Sequence, residues 1–161
     1  MGRYFALQIE CGEERLARAV AGHFDGLPIV LGDGLALRCE SAPWKDVEGN
    51  WWVGAAPRGA SVTGIPGQDN PALVAKERLS EIGNLLYSHL RHAPTFRYAL
   101  AGIETSEFRY FSELDDDLAR LAFPGLVISC DIWQRLGRPA VFEEFRPGYV
   151  WRPYQGETQG F

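Results

Sequence analysis

The sequence predicts an α+β fold: one domain built on a mainly antiparallel sheet, with helices packed against one or both of its faces. Three observations lead there. Period-two hydrophobicity, as in Phe5, Leu7 and Ile9, marks strands, and helical periodicity, as in Ala75, Leu79, Ile82, Leu86 and Leu90, marks helices. The two kinds of segment alternate unevenly, without the repeated strand-helix-strand units that a doubly wound parallel sheet requires. At 161 residues the chain is one domain in length and can bury about 70% of the surface exposed when unfolded.

The first strand runs from Arg3 to Glu10 and reads as half-buried, with one apolar face. Gly12-Glu13-Glu14 then opens a helix, its acids at the positive N-terminal end. Leu16, Val20 and Phe24 form its stripe and Gly26 ends it. Pro28 to Leu31 and Leu35 to Glu40 form a hairpin across Gly32-Asp33-Gly34, whose glycines tolerate the positive φ of a tight turn. A further strand spans Asn50 to Ala55.

A Gly/Pro-rich stretch near 54–71 reads mainly as a long surface loop, with a short strand possible from Ser61 to Ile65. The clearest helix follows, from about Pro71 to Arg91 with Asn70 as its N-cap. Gly83 inside that helix costs about 1 kcal/mol relative to alanine, which points to close backbone packing against a neighbour.

Phe96 to Ile103 is the next strand, with Glu107 to Phe111 placed to pair with it across Glu104-Thr105-Ser106. Ser112-Glu113-Leu114-Asp115 resembles a capping box opening a short helix through Leu121, which Pro124-Gly125 ends. Leu126 to Ser129 is a short strand. Asp131 is expected to cap a brief helix carrying Ile132, Trp133 and Leu136, closed by Gly137 and Pro139.

Charge narrows the partners. The formal net charge is −5, so no excess of lysine and arginine is available for phosphates, and direct nucleic-acid binding is disfavoured. Of sixteen basic residues only Lys45 and Lys76 are lysines; the arginines favour forked pairing with carboxylates. The N-terminal apolar stretch is short and interrupted by Gln8 and Glu10, so neither a signal peptide nor a membrane span is expected. Cys11, Cys39 and Cys130 are odd in number and widely spaced, as expected of reduced, buried thiols in a reducing cytoplasm.

No set of residues at catalytic spacing stands out. Cys130 precedes Asp131, but His89 and His92 are distant in sequence and no G-x-S-x-G elbow is present. His89 and His92 have an H-x-x-H spacing without the further ligands a metal needs. No phosphate-binding loop accompanies the glycine turns, and no cofactor is expected. The more informative constellation is acidic: Glu113, Asp115, Asp116 and Asp117, then Glu143 and Glu144 between Phe142 and Phe145. Such clusters serve either as solvated polar faces or as electronegative patches for a basic partner. Trp51, Trp52, Trp133 and Trp151 suit core and interface equally.

The closing stretch, Phe145-Arg146-Pro147-Gly148-Tyr149-Val150-Trp151-Arg152-Pro153-Tyr154-Gln155-Gly156-Glu157, resembles the end of the immunity protein 52 family of bacterial polymorphic-toxin immunity proteins. The single-domain size and the tryptophans at 51 and 52 also suit that family. The resemblance implies an α+β cytoplasmic antitoxin that binds and silences a cognate toxin of the type VI secreted kind, typically a nuclease, without catalytic residues of its own. An effector-binding adaptor or chaperone of a secretion system is the alternative, and a small enzyme using Cys130 or the histidines is a further one.

Overall fold

A computed structural model describes residues 3–58, 61–62, 76–103, 110–114 and 124–157. Strand β1 (Arg3–Gly12) leads into helix α1 (Glu14–Phe24), and β2 (Pro28–Val30), β3 (Ala36–Lys45), β4 (Trp51–Pro57) and β5 (Ser61–Val62) follow. Helix α2 (Lys76–Leu90), β6 (Tyr98–Ile103), a single 3-10 turn (Phe111–Glu113), β7 (Val127–Ser129), helix α3 (Cys130–Arg135), β8 (Glu143–Arg146) and β9 (Tyr149–Trp151) complete the described elements. All strands join one sheet in the order β2-β3-β4-β1-β6-β7-β9-β8, with β5 pairing to β1, and every pairing is antiparallel. The expected α+β fold is the observed one.

Helices cover both faces. On one, Ala17, Val20 and Phe24 of α1 and Leu79, Ile82, Leu86 and Leu90 of α2 pack on Phe5, Leu7 and Ile9. On the other, Trp52, Tyr98, Ile128 and Val150 meet Ile132 and Leu136, the apolar side of α3 and its end. Strand β1 is therefore buried on both faces rather than half-buried. Gln8 and Glu10, which the alternation assigns to solvent, are 8% and 0% exposed.

Several boundaries differ for identifiable reasons. Gly54 to Pro57 belong to β4 and pair with Cys39 to Ala42, because β3 continues to Lys45 and supplies a partner; the looped stretch therefore begins later than its composition suggests. The cap of α3 is Ser129, whose hydroxyl oxygen accepts the Ile132 N–H at 3.3 Å, and Asp131 lies in the first turn instead. The 3-10 turn starts at Phe111, not Ser112. Glu113 reaches back to accept the Tyr110 N–H at 2.8 Å, so the reciprocal contact is displaced two residues towards the N-terminus. Residues 63–75, 104–109 and 115–123 lie outside the described ones, and with them the Asn70 cap, the Glu107 pairing and the helix through Leu121.

The C-terminal stretch fastens α2. Pro147-Gly148 turns β8 into β9, with Gly148 at φ +90°. Arg146 Nη1 donates to the carbonyls of Leu90 (3.1 Å) and Ala93 (2.6 Å) at the helix end, where a cation also opposes the helix dipole. The Tyr149 hydroxyl donates to Phe96 O at 2.9 Å and accepts Phe96 N–H at 3.1 Å. The Glu157 N–H donates to Ser80 Oγ at 2.8 Å, and Tyr154 lies against Gly83.

Gly83 thus meets the close approach that its place in a helix implies. A β-carbon there would stand 2.5 Å from Tyr154 Oη and 2.6 Å from Cε2. Overpacking costs about 1–3 kcal/mol, more than the ~1 kcal/mol that alanine gains in helix propensity. Gly83→Ala is expected to lower stability by about 1–2 kcal/mol in urea unfolding. In a Tyr154→Leu background the same change should cost less; equal costs in both would show that the ring is not what alanine meets.

Candidate functional site

The acidic residues fall into two separate places. In the first, β3 and β4 are joined by a turn that Asp46 organises: its Oδ1 accepts the N–H groups of Glu48 (2.9 Å) and Asn50 (3.0 Å), and its Oδ2 accepts Trp52 Nε1–H at 2.8 Å. Trp52 is wholly buried, stacked on Trp44 and edge-on to Tyr98, so the turn is anchored to the core. From its exposed tip Glu48 Oε2 accepts the Ser112 hydroxyl at 2.7 Å. Glu113, also exposed, is next to Ser112 and held by the Tyr110 N–H.

The fold therefore sets Glu48 against Ser112, the chain neighbour of Glu113, across 64 residues of chain. Sequence reading singled out Glu113 but not Glu48, since nothing local links them; the D-x-E-G-N turn from Asp46 to Asn50 was the available signal. Asp115, Asp116 and Asp117 lie outside the described residues.

The second place is the edge strand β8, where Glu143 and Glu144 are both exposed. They do not form one patch. Glu143 pairs with Trp151 and Glu144 with Val150, and successive side chains of a strand project to opposite faces. Glu143 takes the face of α1 and α2, and Glu144 the face of α3.

The tryptophans divide. Trp52 is core; Trp51, Trp133 and Trp151 are half-buried. Trp133 Nε1–H donates to Pro139 O at 3.1 Å, and Trp151 packs on Tyr87 and Phe145. Several residues of the closing stretch, among them Phe145, Tyr149, Val150 and Trp151, thus serve packing.

A cleft of about 670 Å³ opens at the end of the sheet between the 3-10 turn and α3. Phe96, Phe111, Ile132 and Tyr149 supply apolar wall, and Arg97, Cys130, Asp131 and Arg135 supply polar wall. Behind it lies an ion pair: the Arg97 Nε–H donates to Glu10 Oε1 at 2.7 Å, and Nη2 engages the other oxygen. Burial raises the Glu10 carboxyl above its ordinary value and the Arg97 hydrogen bond works against that rise. Arg97 lies 3.6 Å from the Phe111 ring centroid and Arg135 4.8 Å.

The thiols are unequal. Burial pushes Cys11 and Cys39 up to about 12, with nearby carboxylates adding to the rise. Cys130, expected to be buried, is half-buried because the first turn of α3 faces the cleft. No histidine lines that cleft. His23 Nε2 lies 2.9 Å from His89 O. Burial lowers the pKa of His89, and His23 and His92 lower it further. Among the described residues no group of three or more His, Cys, Asp or Glu is placed to hold a metal ion, and none of the described helices is long and apolar enough to cross a membrane.

These features define a single α+β domain with an anchored acidic surface and a separate aromatic-cationic cleft. Comparison with known protein-family models, with curated proteins and with solved structures finds no match to this chain.

Thiol chemistry follows from the burial. At pH 8 a disulfide reagent should modify Cys130 within minutes, while Cys11 and Cys39 react only after unfolding. Loss of the fast phase in Cys130→Ser checks the assignment, and rapid labelling of that variant would refute it.

Proposed function

We propose that this chain is an immunity protein: an antitoxin that binds a cognate secreted toxin, a nuclease domain, and neutralises it by stoichiometric association in the bacterial cytoplasm. The observation that carries this reading is the anchored pair Glu48 and Glu113. Exposed carboxylates normally lose side-chain freedom on binding, at about 0.5–1.5 kcal/mol each. Here the Ser112 hydroxyl and the Tyr110 N–H already hold them, above a turn fixed to Trp52.

A nuclease must present cations to grip phosphates. Preordered carboxylates are complementary to such a surface: they speed encounter and disfavour acidic partners. The net charge of −5 acts in the same direction. The C-terminal resemblance to type VI immunity proteins supplies the class of partner, and the aspartates at 115–117 extend the acidic run in sequence.

Co-expression with the cognate toxin is the test. Cells should survive, and the two proteins should co-purify in equal amounts. Undiminished killing with abundant folded protein would refute the proposal, and tight binding without rescue would identify an adaptor. The Glu48→Lys, Glu113→Lys double variant should slow association about tenfold at low salt and flatten its salt dependence. Unchanged association would move the contact elsewhere, with Glu143→Lys and Glu144→Lys as separate probes of the two faces of β8.

A further inference from the structure

We propose that the tip of the β3–β4 turn is the insertion element of the toxin interface, with Val47 seated in an apolar pocket of the partner and Glu48 meeting a lysine or arginine on the rim of that pocket. The inference rests on the toxin-binding reading and adds to it the part of the contact that holds the complex together. Turn chemistry accounts for every residue from Asp46 to Asn50 except Val47. The Asp46 N–H donates to Asn50 O at 2.8 Å and Asp46 O accepts the Gly49 N–H at 3.1 Å, while its carboxylate takes two further amides and the Trp52 ring N–H. Gly49 supplies φ +86°, a conformation glycine adopts freely, and Glu48 accepts from Ser112. Val47 is 81% exposed, at the turn position where proline is favoured. The two other exposed valines among the described residues, Val30 and Val141, are 55% and 53% exposed and lie in or beside an edge strand, where a branched side chain suits the backbone.

An apolar side chain that is both exposed and held in place is suited to anchor a partner. Asp46 is 6% exposed and fastened to the fully buried Trp52, which stacks on Trp44, so the tip is ordered before any contact is made. Valine is itself stiff at χ1, and little side-chain freedom is left to lose on binding. Covering a valine is worth about tenfold or more in affinity, and such a gain appears in the dissociation rate, whereas charge acts mainly on encounter. The charge of the tip fixes the rim. Asp46 and Glu48 are the only ionisable residues from 46 to 50, and Lys45, the nearest cation in sequence, stands over the Trp51 ring at 5.9 Å. The complementary surface is therefore apolar where Val47 enters and cationic beside it, as in a phosphate-gripping groove with an apolar floor.

The test is surface-plasmon kinetics of the full chain, parent and variants, on the immobilised nuclease domain of the cognate toxin. Val47→Ser should leave the association rate and its salt dependence as in the parent, and raise the dissociation rate at least about tenfold. Val47→Thr keeps the branched shape but exchanges a methyl for a hydroxyl, and should act in the same direction. Val47→Ile keeps the apolar branch and should dissociate within about threefold of the parent. Because Val47 is exposed, melting temperatures should match throughout; if the serine variant fails to fold, the threonine variant decides. Unchanged dissociation of both polar variants would overturn this inference and leave the toxin reading standing. A loss confined to the association rate, or an equal loss in Val47→Ile, would do the same. Self-association of the parent that Val47→Ser abolishes would give the tip to a second copy of the chain and overturn the inference too. No binding by the parent would refute the toxin reading, and this inference with it.

Discussion

A carboxylate at the centre of the sheet, shut off from water, has to be met by a cation, and the pairing of Glu10 with Arg97 organises everything around it. Glu10 is fully buried on β1, which among the described residues is the one strand with three strand partners. Removing Arg97 would leave that carboxylate charged and dry, which typically costs about 3–5 kcal/mol. The geometry is built to avoid that. The Arg97 N–H donates to Glu10 O at 2.8 Å, and Arg97 O accepts the Ser129 N–H at 2.9 Å, so the arginine aligns β1 with the chain leading into β6 and with the end of β7. Gly12, at φ +81°, leaves the space the guanidinium needs: a β-carbon there would lie 2.8 Å from Arg97 Cζ.

A second constraint fixes α2 from its C-terminal side. Arg146 closes the helix end, Tyr149 grips Phe96, and Tyr154 occupies the notch that Gly83 leaves. The Tyr87 hydroxyl, pushed upward by burial, donates to Gly125 O at 2.8 Å and accepts the Ala101 N–H at 2.9 Å. At the other end of α2, Arg78 pairs with Asp33 and Glu81 accepts the Gly32 N–H, so the helix is pinned to the β2–β3 hairpin as well. The closing stretch from Phe145 to Glu157 is therefore a large part of what makes the fold rigid. Rigidity is what lets surface carboxylates be preordered.

The legible parts of this architecture were the local ones. The stripe of α1, the glycine turn between β2 and β3 and the notch at Gly83 each follow from residues close in sequence, and each was readable. What escaped were outcomes of long-range pairing. The alternation of β1 assigns Glu10 to solvent, because only its pairing with a residue 87 positions away makes burial tolerable. Ser129 prevails over Asp131 as the cap of α3 because the strand must end on Ser129 before the helix can begin. Glu48 could not be joined to Glu113 from sequence, since the contact runs through Ser112 and requires the sheet to bring the β3–β4 turn across. The cleft was likewise invisible: its walls come from four separate stretches of chain.

One short turn connects the two surfaces. Phe111 faces the cleft under Arg97 and Arg135, while Ser112, the next residue, reaches Glu48, and Glu113 is exposed. The turn is held by its own Glu113 N–H to Tyr110 O bond at 2.9 Å and the reciprocal Tyr110 N–H to Glu113 carboxylate bond at 2.8 Å. A substitution that loosens this turn therefore acts on both surfaces at once, on the cleft wall through Phe111 and on the β3–β4 turn through Ser112.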